Sequence, residues 1–105
     1  MSRATYSLIR DAILQRRQVF ATYGGLPRAF CPHVLGKKNG RAQALVYQFD
    51  GESHQGDLHG DGPDNWRCLH LDDLRDVRLE DGPWHSADNY GRHPQACVDV
   101  VDVEV

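Results

Sequence analysis

The chain has no apolar run approaching the roughly 20 residues that a membrane helix requires, and its first residues lack the apolar segment of a secretory signal. A cytoplasmic protein is therefore expected. Cysteine is scarce: Cys31, Cys68 and Cys97 are odd in number and far apart, which predicts reduced thiols in place of a disulfide framework. Gly-x-Ser-x-Gly, the phosphate-binding P-loop and His-Glu-x-x-His are all missing, so the common hydrolase and zinc-protease signatures do not apply. No internal repeat, linker or second domain is visible. Negative charge is nearly missing from the first 49 residues, which carry eight Lys or Arg against Asp11 alone.

What is present describes an ordinary globular chain. Its 105 residues are 40% apolar and 26% charged, with a net charge of −3, which fits one domain spanning 1–105. Residues 50–105 reverse the early balance, with four Arg against fourteen acids. Such a split predicts a solvated dipolar surface; it also leaves a basic half for an anionic partner or for self-association.

Thr5 to about Arg17 reads as a helix, because Tyr6, Ile9 and Ile13 fall at i, i+3 and i+7 with Leu8 and Ala12 alongside. Arg16 and Arg17 are expected in its last turn, where cations suit the helix dipole. Strands follow at 19–23, 28–38, 41–50, 66–71 and 75–80. A reversal at 24–27, a turn at Asn39-Gly40 and a polar loop over 51–65 separate them, and Asp72 is placed to cap a short helical turn through Leu74. The segment 81–96 looks irregular. Residues 97–105 form a Val-rich strand or tail whose acids discourage further edge pairing. One helix and about five short strands, with no helical crossovers, predict a mainly β chain: a small, partly closed antiparallel barrel with the helix (about 5–17) packed on it, the barrel itself spanning about 19–80.

The stretch from Val19 to Phe49 sets the expected register. Asn-Gly favours a two-residue type I′ turn, which needs positive φ at both central positions. A turn at 39–40 pairs Lys38 with Arg41, Leu35 with Ala44, Val34 with Leu45, Pro32 with Tyr47 and Phe30 with Phe49. One face then carries Phe30, Val34, Leu45, Tyr47 and Phe49 and is expected to be the core. The other carries Cys31, His33, Leu35, Ala42, Ala44 and Val46, a less oily surface for another element to cover.

Ala12-Ile13, Val19, Tyr23-Gly24, Arg28, Pro32, Leu35 and Gly40-Arg41, followed by Arg67 and Leu69-His70-Leu71-Asp72-Asp73-Leu74, resemble the WYL domain over about residues 8–80. The resemblance implies a bacterial module with an Sm-like or SH3-like barrel, usually attached to a DNA-binding domain, where it senses a ligand. Its implied ligands are small anions, nucleotides or nucleic acid. The family's Trp-Tyr-Leu triplet falls on Gln43-Ala44-Leu45, and two arginines of its later motif fall on His70 and Asp73. Tyr23 and Arg28 sit at family motif positions beside the first hairpin. Arg28, with its charged end at the barrel mouth, and Arg67 are suited to grip a carboxylate or phosphate, with His70 shaping the site.

Other constellations carry less. Cys31-Pro32-His33 and Cys68-Leu69-His70 supply the ligand types of a Cys₂His₂ zinc site, but an intervening strand would hold them roughly 9–10 Å apart; core thiols and rim histidines are expected. A Cys68–His70–Asp72 nucleophile needs an exposed, electropositive thiol, whereas Cys68 lies among acids and is expected to be buried. His54, Asp57, His59, Asp61 and Asp64 crowd one loop without EF-hand spacing. Trp66, Trp84, Tyr90 and Arg92 could stack bases, yet Asp64, Asp81 and Asp88 beside them disfavour nucleic acid. The reading is a non-enzymatic ligand-sensing module with a binding site at Tyr23, Arg28, Arg67 and His70. It carries no catalytic residue, metal or cofactor, and its partner is a small anionic ligand or another protein. The alternative is an assembly subunit using the Val-rich tail and the basic half.

Overall fold

The computed structural model describes residues 3–51, 65–87 and 95–105. Over these residues the chain is mainly β, with one N-terminal helix and an antiparallel sheet. The helix α1 is Arg3–Gln15. The strands are β1 (Gln18–Tyr23), β2 (Leu26–Lys38), β3 (Arg41–Gly51), β4 (Trp66–His70), β5 (Leu74–Glu80) and β6 (Val100–Glu104), with a 3-10 turn at Leu71–Asp73 between β4 and β5. Strand order is β4-β3-β2-β1-β5, and β6 adds to β2. β1 pairs with β2 up to Phe30 and β6 pairs with it from Val34 to Lys37. Among the described residues no helix is long and apolar enough to cross a membrane. His54, Asp57, His59, Asp61, Asp64, Tyr90 and Arg92 lie outside the described residues.

The stripe read from the sequence is what α1 buries: Ile9, Ala12 and Ile13 are exposed by 1% or less. The helix closes two residues before its expected end. Arg16 takes the left-handed conformation at φ 55°, and the amides of Arg16 and Arg17 donate to the carbonyls of Ile13 and Ala12 at 3.4 and 2.9 Å. That 5→2 and 6→1 pair is a Schellman closure, so both arginines follow the last turn and neither lies in it. Positive φ at Gly24 and Gly25 (60° and 78°) and at Asn39 and Gly40 (52° and 80°) makes both hairpin turns two residues long. β2 accordingly starts at Leu26, inside the segment expected to form the reversal.

The Asn39-Gly40 turn sets Lys38 opposite Arg41, Leu35 opposite Ala44 and Val34 opposite Leu45. The expected register fails below that point. His33 is an extra residue on β2, so Pro32 faces Val46, Cys31 faces Tyr47 and Phe30 faces Gln48; Phe49 is the compensating extra residue on β3, and Ala29 then faces Asp50. One extra residue exchanges the faces that follow. Phe30 thereby joins Leu35, Ala42, Ala44 and Val46 in the main core with α1, Leu69 and Leu71. The face expected to be secondary is the principal one, because its small side chains at 42 and 44 leave room for the helix. Val34 and Leu45 pack on the opposite face with Cys97 and Val98.

The expectation of three reduced thiols is also corrected. Cys68 and Cys97 form a disulfide with Cα atoms 5.4 Å apart, and Cys31 is a free, buried thiol. The tail returns across the sheet to bring residue 97 beside 68, a contact that linear spacing conceals. Gly36 permits this return: a Cβ there would collide with the Val100 carbonyl oxygen and approach Val98 Cγ1 to 2.6 Å.

Candidate functional site

The sheet brings together residues that lie far apart in the chain. Tyr23 ends β1 opposite Leu26, and Arg28 on β2 lies opposite Ala21, a member of the helix-covered core. Directly opposed residues share a face, so Arg28 points toward that interior. Arg67 on β4 lies opposite Val46, which places it on the same face. His70 ends β4 and leads into the 3-10 turn.

Arg28 was expected to emerge at the rim, yet it is 5% exposed, and Arg67 is 6% exposed. Its two cross-strand neighbours are Ala21 and Gly51, small enough to let the guanidinium fold inward. There it lies 4.9 Å from the centre of the Tyr23 ring, a cation–π distance. Arg28 Nη1 donates to Gln48 Oε1 at 3.4 Å, and the His70 amide donates to the Tyr23 hydroxyl at 3.1 Å. Arg67 Nη1 donates to the Trp66 carbonyl at 2.9 Å. Desolvation holds Arg28 below its ordinary pKa range; the phenol of Tyr23 opposes this and the like charge of Arg67 adds to it.

Two nitrogens in this cluster, Arg28 Nε and His70 Nδ1, are buried with no hydrogen-bond partner among the described residues. Leaving such a group unpaired costs about 1–3 kcal/mol, and more when it is charged. Both belong to residues that contact Tyr23, one over its ring and one at its hydroxyl. Gln48, 1% exposed, is a member of the cluster that the sequence reading missed. The available signal was an amide in an otherwise apolar run from Ala44 to Phe49. Arg28 also borders a depression of about 130 Å³ shared with Phe20, Asp76 and Arg78. A groove of about 440 Å³ between α1 and β5 contains none of the four expected site residues.

No protein-family model, curated protein or solved structure matches the chain.

The fold takes the two Cys–His pairs apart. Cys68 is bonded to Cys97 and exposed, where burial was expected. Cys31 Sγ accepts the His85 amide at 3.3 Å, and burial pushes its thiol up to about 11. His33 was expected at the rim, but it is 1% exposed. Its Nδ1 lies 2.8 Å from the Cys31 carbonyl oxygen and its Nε2 2.9 Å from Ser86 Oγ. A neutral ring that donates to the carbonyl and accepts the hydroxyl satisfies both contacts, and burial pushes its pKa down to about 4. Neither pair offers a ready thiolate to a zinc ion or an electrophile. Among the described residues, no group of three or more His, Cys, Asp or Glu is arranged to hold a metal ion. Trp66 and Trp84, considered above as stacking platforms, instead flank His33 at 4.8 and 5.1 Å.

Proposed function

We propose that this chain is a WYL-like, non-enzymatic sensing module on an Sm-like or SH3-like barrel, and that it binds a small anion between Arg28, Arg67, Tyr23 and His70. The observation that carries this reading is the pair of buried nitrogens without partners among the described residues, on two side chains that both belong to residues contacting Tyr23. An anionic oxygen is the complementary group for a guanidinium N–H and for an imidazole N–H. The barrel is supported by the pairing of β5 with β1, and by the 3-10 turn through which β4 passes directly into β5.

The test is thermal unfolding and calorimetry with inorganic phosphate, nucleoside monophosphates and short carboxylates. A ligand at a hundred times its Kd stabilises the folded chain by about 2.7 kcal/mol. Arg28→Gln with Arg67→Gln is expected to abolish the response, and His70→Ala to weaken it. An unchanged response in the double variant, or no response to any of these anions in the parent chain, removes the proposal.

A second reading has one observation behind it: Val100 and Val101 on β6 are 68% and 44% exposed, as a tail used for assembly would require. Light scattering decides this alternative, since a monomer at high concentration excludes it.

A further inference from the structure

The tail is held by one covalent bond, by hydrogen bonds that include Tyr6 to Asp102 and Lys38 to the Ala96 carbonyl, and by the partly buried Val103 and Val105 on the main core. Beyond Cys97, the Gln95 side chain donates to the Val98 carbonyl and accepts its amide. The Asp99 amide donates to the Lys37 carbonyl at 2.8 Å, and the Val105 amide to that of His33 at 2.9 Å. β6 pairs with β2 at four positions only, from Val34 to Lys37, and four of its five residues are exposed. The charged contacts, Lys38 with Asp99 and Arg10 with Asp102, lie between partly exposed side chains, where ion pairs contribute little. A strand of this kind belongs to the low-stability end of a fold.

The two sulfurs of the bond differ in access. Cys68 is on an exposed position of β4, whereas Cys97 is 4% exposed within the Val34, Leu45 and Val98 cluster. Cys31 is fully buried and its sulfur is engaged by the His85 amide, which keeps it out of exchange. An incoming thiolate therefore meets Cys68 first.

We infer that the Cys68–Cys97 bond is a redox latch on the C-terminal strand, opened by a dithiol reductant attacking Cys68 and closed by the reverse exchange, in which a disulfide takes the two electrons and two protons back and is itself reduced to the dithiol. The reductant's thiolate forms a mixed disulfide with Cys68 and expels Cys97 as the leaving thiolate. The second thiol of the reductant then displaces Cys68, leaving the reductant as its own disulfide. Two electrons and two protons reach the protein, giving two free thiols. Once the bond is cut, β6 is retained by its four-position pairing with β2, by the Tyr6 hydroxyl's bond to Asp102 at 2.7 Å and by the packing of Val103 and Val105 on the helix-covered core, none of them covalent. The tail then opens more often, uncovering Val34, Leu45 and the edge of β2 from Val34 to Lys37. This latch stands apart from the anion site.

Hydrogen exchange read by mass spectrometry on the full chain tests it, before and after native-state treatment with dithiothreitol. Cys68→Ser serves as a permanently open form and Cys31→Ser as a control. Reduction, and Cys68→Ser, are expected to speed exchange over 99–105 by tenfold or more while α1 and β1–β3 keep their protection. Reoxidation restores the slow pattern, and Cys31→Ser behaves as the parent. Equal tail protection with and without the bond overturns the latch. So does loss of protection throughout the chain, which makes the bond a staple for the whole fold. A bond that dithiothreitol reduces only after denaturation, or two free thiols at 68 and 97 in air-oxidised protein, overturns it as well.

Discussion

Leu35 and Val34 are neighbours on β2 and equally buried, yet different kinds of structure cover them. Leu35 lies under α1 with Ile9, Ala12 and Ile13, a regular element whose apolar stripe repeats at helical spacing. Val34 lies on the opposite face under Cys97 and Val98. Further along that face, His33 is enclosed by Trp66 and Trp84 and bonded to Ser86, and His85 stacks on Phe49 at 4.3 Å. Neither 81–87 nor 95–99 forms a helix or strand. A helix satisfies most of its own backbone, so its cover depends on one stripe of side chains. An irregular cover must have its polar groups met individually, as Gln18 Nε2 does for the Pro83 carbonyl at 2.7 Å. The helix face thus tolerates approximate chemistry, whereas the other face depends on particular residues.

The largest test of this contrast compares the two covers directly. Ile13→Ala removes a fully buried branched side chain and is expected to cost about 2–5 kcal/mol. Trp84→Ala removes a half-buried ring from a cover that can shift, with an expected cost of about 1–3 kcal/mol. Urea unfolding midpoints rank them, and a reversed order means that the irregular segment is the principal clamp. Gly36→Ala sharpens the same point for the tail. Its methyl group would occupy the space of the Val100 carbonyl, so about 1–3 kcal/mol of overpacking is expected together with loss of amide protection at Asp99.

Much of the helix face was legible because it obeys periodic rules. Ile9 and Ile13 announced the stripe, and Asn39-Gly40 fixed the turn and the nearest pairs. Legibility stopped at His33, because an extra residue leaves no trace in an alternating pattern yet exchanges the faces from Pro32 to Phe30, until Phe49 compensates for it. The disulfide was hidden for a different reason: 29 residues separate Cys68 from Cys97, and only the tail's pairing with β2 brings them together. At the candidate site, Tyr23, Arg28 and His70 were found as a connected group, with Arg67 on the same face as Arg28. Gln48 was missed, and Arg28 was assigned to the rim, because the inward fold of its side chain depends on Ala21 and Gly51 from two other strands.

The irregular face carries buried titratable groups, so pH separates it from the helix face. His33 has its pKa pushed down to about 4 from 6.5, so the unfolded chain takes up its proton first. Stability from this group is complete above pH 6.5 and is lost as pH falls toward about 4. Cys31 works in the opposite direction: its pKa rises to about 11 from 9.0, so its contribution is complete below pH 9 and is lost as pH rises toward about 11. Midpoints measured across both windows should slope accordingly. His33→Gln should flatten the acid limb and Cys31→Ala the alkaline one, whereas Ile13→Ala should lower the whole curve without changing its shape. A parent curve flat from pH 4 to 6.5 would mean that His33 is hydrated in solution and that the cover at 81–87 is open.

The smallest expected effect asks what holds the start of that cover. Arg17 Nε meets Asp81 Oδ1 at 3.0 Å, but the Asp81 side chain is 90% exposed, so water and salt screen the pair. Arg17→Ala should therefore change stability by no more than about 1 kcal/mol, and by less in high salt. The exposed Ser86 hydroxyl, by contrast, bonds to a buried imidazole. Ser86→Ala leaves Nε2 of His33 without that acceptor partnership, at a cost of about 1–3 kcal/mol, while keeping the backbone and the neighbouring rings. If Arg17→Ala proves the more damaging substitution, the segment after β5 is tethered at its charged start, and the enclosed histidine follows that tether passively.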